Sequence, residues 1–172
     1  MTYFIHYLCF ALIYFGILFP IRKEKTEQQL FFHSVFFIYL LIVLTITIIP
    51  IPVYISPRSI EIFKSVNLIP FRDLYYGYLF AKREIVLNII MLIPFGFFIP
   101  LLTRYKVIGT VFITFLFSLT IESLQLISTI MDIHYNRVAD ITDLITNTLG
   151  GVIGYFIFYF FRRTFITRNL VE

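Results

Sequence analysis

Val107-Ile-Gly-Thr-Val-Phe-Ile-Thr-Phe-Leu-Phe-Ser118-Leu-Thr-Ile-Glu122-Ser-Leu-Gln125-Leu-Ile-Ser-Thr-Ile-Met131 is the stretch that decides how this chain is built. It is an apolar run longer than the roughly 20 residues that cross a bilayer, with Glu122 as its only charge. The run is continuous rather than alternating, which argues against a transmembrane strand. A helix is the form that satisfies its own backbone in lipid. The rest of the chain agrees. It is 59% hydrophobic and 14% charged, with a mean hydropathy of +0.90. A soluble domain has about 45–50% apolar and about 25% charged residues, so the excess apolar surface here belongs in lipid.

Four more runs flank the first. They cover about Tyr3 to Ile21, Leu30 to Ile49, Ile85 to Leu102 and Ile141 to Phe161. The expected fold is therefore all-α, a polytopic transmembrane bundle of about five spans. Pro50 and Pro52 stop the second span, since proline lacks the N–H and restricts its predecessor. The connection from Pro50 to Glu84 is too apolar for a free loop, and it should lie on the interface or dip into it, with a short amphipathic helix as one form. The chain divides into an N-terminal helix and basic loop (1–29), a membrane domain (30–161) and a basic tail (162–172).

Orientation follows from the basic residues. Arg22, Lys23, Lys25, Arg104, Lys106, Arg162, Arg163 and Arg168 cluster in short flanks on one side. Arg58, Lys64, Arg72, Lys82, Arg83 and Arg137 are spread along the other. The denser side is expected in the cytoplasm, which puts the N-terminus outside, the C-terminus inside and the 50–84 segment outside. The net charge of +4 is dispersed between spans, so no nucleic-acid partner is expected. The single cysteine, Cys9, permits no intrachain disulfide and reads as a small apolar filler. Met1 is followed by no basic region or small-residue cleavage site, so no signal peptide is evident.

The chemistry gathers in the second half. Glu122 and Gln125 share a helix face. Glu122 lies roughly 14 Å below the outer end of its span at 1.5 Å per residue. A carboxylate there costs about 2.5–3.5 kcal/mol on insertion scales. It either forms a proton or ligand site or is a buried carboxyl bonded to a neighbouring helix. Asp140, Asp143 and Asn147 form one stripe of the fifth span. Asp140 suits the N-cap and Asp143 the N-terminal dipole, but neither role accounts for Asn147, roughly 9 Å inside the span. Arg137 is the natural counter-ion for the aspartates. The two polar faces reach similar depths and should face each other. Asn88 lies just inside the outer end of the third span, ahead of Pro94, which frees the Ile90 carbonyl and should kink the helix. Gly150 and Gly154 form a small-xxx-small face for close helix packing or an oligomer contact. His6, His33 and His134 are scattered, and no metal-ligand spacing appears; an Asp140–Asp143 pair holding Mg²⁺ or Ca²⁺ is the one weaker option. No cofactor is expected.

Four elements then stand in order. They are Asn67-Leu-Ile-Pro-Phe71; Asn88 followed by Pro94-Phe-Gly96; Ser118 to Gln125 with Ile-Glu-x-x-Gln; and Arg137-x-x-Asp140-x-x-Asp143-x-x-x-Asn147-Thr-x-Gly150-Gly151-x-x-Gly154-Tyr155. Together, over about residues 40–161, they resemble the VanZ-like family. The resemblance implies a small bacterial membrane protein of four or five helices, in the cytoplasmic membrane. The family's namesake gives low-level teicoplanin resistance without the altered peptidoglycan precursor pathway. Carried over residue by residue, the implied site is Asn88, Glu122, Gln125, Arg137, Asp140, Asp143 and Asn147, the same cluster that the polar pattern picks out. The span before the shared core is a departure from the family.

Four functions remain open on the sequence. The first is an envelope protein that binds or shields a glycopeptide antibiotic or cell-wall precursor among membrane lipids. The second is a membrane enzyme using carboxylate acid–base chemistry on a lipid or cell-wall intermediate. The third is a small proton-coupled or lipid transporter, which the absence of a visible repeat disfavours. The fourth is a purely structural bundle with polar interhelical bonds.

Overall fold

The computed structural model describes residues 25–48, 66–130 and 139–164. The first expected span (3–21), the Ile-Pro-Ile-Pro stop and Arg137 lie outside the described residues. In chain order the elements are α1 (Glu27–Ile48), β1 (Val66–Asn67), α2 (Arg72–Tyr75), α3 (Ala81–Leu102), α4 (Val107–Ile130), β2 (Ala139–Asp140) and α5 (Ile141–Thr164). Among the described residues four helices, α1, α3, α4 and α5, are long and apolar enough to cross a membrane. They match the second to fifth runs of the sequence within a few residues, and the chain is an all-α multi-pass bundle.

Each helix sorts its residues against lipid rather than water. On α4 the buried positions are Thr110, Thr114, Ser118, Ile121, Glu122, Gln125 and Ser128, while Phe112, Phe115, Leu119, Leu124 and Ile127 are exposed. A polar stripe faces inward because hydrocarbon offers its hydroxyls no partner. Thr114 Oγ1 donates to the Thr110 carbonyl at 2.8 Å. On α5, Thr146 Oγ1 likewise donates to the Thr142 carbonyl at 2.9 Å. These local bonds satisfy hydroxyls without a second helix.

The closest pair is α3 against α5, and glycine sets the approach. A Cβ added at Gly96 would overlap the backbone of Gly151, and one at Gly154 would overlap the Ile93 carbonyl. One at Gly150 would meet the Ile89 carbonyl. The close-packing face read at Gly150 and Gly154 is thus occupied by α3 of the same chain, not by a second copy. Leu92, Phe95 and Ile99 of α3 form the core, with Phe36 and Phe117 packed against it. Phe95 and Phe117 stack with ring centroids 4.4 Å apart. The helix α3 continues through Pro94 and Pro100 as a single element. Tyr39 on α1 donates its hydroxyl to the Met91 carbonyl at 2.7 Å, next to the carbonyl that Pro94 frees.

Between α1 and α3 the described chain stays near one end of the bundle. Leu68, Ile69, Tyr75, Tyr76, Leu79 and Phe80 are exposed there, a surface suited to the headgroup level. The short helix α2 is preceded by Phe71 at φ 56. A two-residue parallel ladder pairs Val66 with Ala139 and Asn67 with Asp140, so the connection is docked onto the start of α5.

Candidate functional site

The alternation of the four long helices brings the last turns of α1 and α4 to the same end as the first turns of α3 and α5. A cavity of about 640 Å³ opens among them. Its wall includes Asn88 from α3, Glu122 and Gln125 from α4, and Asp140, Asp143 and Asn147 from β2 and α5. Those are six of the seven residues expected from the sequence. The seventh, Arg137, lies outside the described residues. The polar faces of the fourth and fifth spans do meet, and the link is direct: Asn147 Nδ2 donates to Ser118 Oγ at 3.0 Å.

Glu122 is 7% exposed and Asn147 1%. Glu122 Oε2 accepts the backbone N–H of Asp140 at 3.1 Å, which holds the entry to α5 against α4. Gln125 Nε2 donates to the Thr47 carbonyl at 3.2 Å. That bond ties the α4 side chain to the backbone of α1. Asn147 Oδ1 is buried with no hydrogen-bond partner. A buried orphan acceptor of this kind costs about 1–3 kcal/mol, and it stands on a residue that lines the cavity.

Asp140 is the joint of the site. Its Oδ1 accepts the Thr142 N–H at 2.7 Å, the N-cap bond expected for the residue before the helix. Its Oδ2 accepts from Asn67 Nδ2 at 2.8 Å. Asn67 is 3% exposed, and its Oδ1 accepts the Ile69 N–H at 3.3 Å. Phe71 N–H donates to Thr142 Oγ1 at 2.9 Å. Together these bonds fasten 67–71 across the mouth of the bundle. Asp143 and Glu84 lie in the first turns of α5 and α3, where the helix dipole favours a carboxylate.

The polar pattern of the spans missed three contributors. Asn67 entered only through the resemblance, yet it is the residue that ties the connection to Asp140. Asp73 on α2 lines the cavity and pairs with Arg72 at 3.3 Å; both are more than a third exposed, so the pair stabilises little. Ser118 was legible as part of the i, i+4 series Thr110, Thr114, Ser118, Glu122. Among the described residues, no group of three or more His, Cys, Asp or Glu side chains is arranged to hold a metal ion.

A scan of family models matches VanZ/LLP1 over residues 36–162. Comparison with curated proteins and with solved structures gave no match. The matched stretch runs from within α1 into α5 and contains every described residue of the cavity wall, and so the chain belongs to the VanZ/LLP1 family.

Proposed function

We propose that this chain is an envelope protein of the bacterial cytoplasmic membrane whose polar chamber faces outward and receives a ligand at the outer leaflet. The ligand class is a glycopeptide antibiotic of the teicoplanin type or a lipid-linked cell-wall precursor. The outcome is protection of the envelope rather than turnover. The observation that carries this reading is the cavity itself. Residues far apart in sequence, each costly in hydrocarbon, share one wall of a space large enough for part of an amphiphile. Purely structural polar contacts would close on one another, as Asn147 and Ser118 do, and would leave no such space. The family namesake's teicoplanin resistance supports the ligand class, and the basic flanks Arg104, Lys106 and Arg162 support the outward orientation.

The test is teicoplanin and vancomycin susceptibility in a Gram-positive host expressing wild type, Glu122→Gln or Asp143→Asn, with membrane levels matched. Protection by the wild type that both inserted variants lose is the expected result. No protection from a well-expressed wild type would refute the resistance reading. Turnover of a lipid intermediate by purified protein, abolished in Asp143→Asn, would replace it with the enzymatic one.

A further inference from the structure

The helices α1 and α3 meet at one level and part at another. Phe36 on α1 packs against Phe95 and Phe98 on α3, with ring centroids 5.7 and 5.4 Å apart. One turn on, Tyr39 donates its hydroxyl to the Met91 carbonyl at 2.7 Å. Beyond Tyr39 the two helices change character. Ile42 and Ile46 on α1, and Leu87 and Ile90 on α3, line the cavity, yet they are 54%, 61%, 50% and 55% exposed. A side chain that lines a cavity and is half exposed belongs to its rim. The end of α1 is tied to α4 instead, through Gln125 and the Thr47 carbonyl. The cavity thus opens on its flank, between α1 and α3.

Ile42 is six residues from the end of α1 and Ile90 nine from the start of α3. At 1.5 Å per residue the opening lies roughly 9–14 Å inside the spans, within the roughly 15 Å of hydrocarbon that one leaflet supplies. All four rim side chains are aliphatic, so they suit the passage of an alkyl chain and not of a hydrated solute. Further in, the wall carries a neutral group that is half used. Asn147 spends its amide N–H on Ser118, while its Oδ1 is buried with no hydrogen-bond partner. A donor completes such an acceptor, whether or not that donor is charged.

We infer that the cavity takes a bilayer amphiphile with a hydroxyl or amide donor at its polar end, entering sideways between α1 and α3 from the leaflet at that end of the bundle. The alkyl chain lies over Ile42, Ile46, Leu87 and Ile90, and the donor meets Asn147 Oδ1. Recognition is by chain burial and one neutral hydrogen bond, so the ligand needs no net charge. This deepens the ligand-chamber reading and rests on it, but it does not depend on glycopeptide protection.

The chain contains no tryptophan, so one introduced residue reports alone. Met91→Trp places an indole on the cavity wall. Leu119→Trp, exposed on α4 and outside the cavity, is a control at similar depth. In vesicles of phosphatidylcholine with brominated chains, both should be quenched. A short bis-maleimide joining Ile42→Cys to Leu87→Cys, set in delipidated protein with Cys9→Ser, closes the flank. It should abolish quenching of Met91→Trp and leave Leu119→Trp unchanged. For the donor, delipidated wild type is given an equimolar mixture of dioleoylglycerol and its acetate, which differ in one hydroxyl. Native mass analysis should show about tenfold greater retention of the free alcohol, the size of one buried acceptor left unpaired. Asn147→Leu should erase that preference.

Met91→Trp that is never quenched, or is quenched equally with the flank closed, overturns sideways entry. A disulfide between Cys9 and Ile42→Cys in otherwise native protein would seat residues 3–21 in the opening and overturn it too. Equal retention of the two glycerolipids by wild type overturns the donor contact, and this measurement stands even where Met91→Trp fails to fold. A protein that protects against teicoplanin with neither result refutes the inference alone. A protein with both results but no protection refutes the resistance reading alone.

Discussion

Exchanging the two side chains of the Asn67–Asp140 pair tests whether this contact fastens the connection to the bundle. Asp140→Asn keeps an oxygen for the Thr142 N–H, and Asn caps helices as well as Asp does. It turns the other arm into an amide that meets Asn67 Nδ2 donor to donor. Asn67 cannot rotate away without losing the bond from the Ile69 N–H. Asn67→Asp instead sets two carboxylates face to face. Each single change removes a hydrogen bond to a charged group, about 1.5–3 kcal/mol. In the reciprocal pair Asn67→Asp/Asp140→Asn, an amide again donates to a carboxylate, and both the Ile69 and Thr142 bonds are kept. At about 1.4 kcal/mol per decade, amide exchange across 67–71 should quicken roughly tenfold to a hundredfold in either single variant and return close to wild type in the double. The Phe71 N–H, held by Thr142 Oγ1, is the most informative site. Additive acceleration in the double variant would refute the reasoning, because two independent losses have no coupling energy.

Three further outcomes follow from the packing and the topology. Gly154→Val should break the α3–α5 contact, since the Ile93 carbonyl it would strike is backbone and cannot rotate aside; overpacking costs about 1–3 kcal/mol or more, read as early melting in detergent or loss of the monodisperse peak. Ser118→Ala should cost only about 0.6–1 kcal/mol in a steric-trap or denaturant measurement, whereas Asn147→Leu should be close to neutral in stability, because it loses one bond but also removes the orphan Oδ1. For orientation, a C-terminal fluorescent-protein fusion should glow and a cysteine at Tyr76 should react with an impermeant maleimide on intact cells; the reverse pattern would overturn the outward assignment.

The sequence determined the spans. Hydrocarbon thickness and backbone satisfaction leave few options for a run such as 107–131, and α1, α3, α4 and α5 begin and end within a few residues of the expected limits. It also marked the polar residues that the structure places on the cavity wall, because a carboxylate or amide in a span is costly wherever it stands, so Glu122, Gln125, Asp143 and Asn147 stood out without any partner in view. Their depth could be counted from the helix rise, and the similar depths of Glu122 and Asn147 anticipated that the two polar faces meet; that Asn147 bonds Ser118, one turn deeper on α4 than Glu122, came from the packing.

Only the tertiary structure decided what those residues bond to and what surrounds them. Asn67 lies 73 positions from Asp140, and nothing local in either segment encodes that pairing. Gln125 bonds a backbone carbonyl of α1, and a carbonyl is present at every residue, so no side-chain pattern marks it. Gly150 and Gly154 announced a close approach but not its partner. Small residues permit contact with any helix, and it is the docking of α3 against α5 that assigns it. The cavity, too, belongs to the packing alone, since a space is a property of how four helices fail to touch.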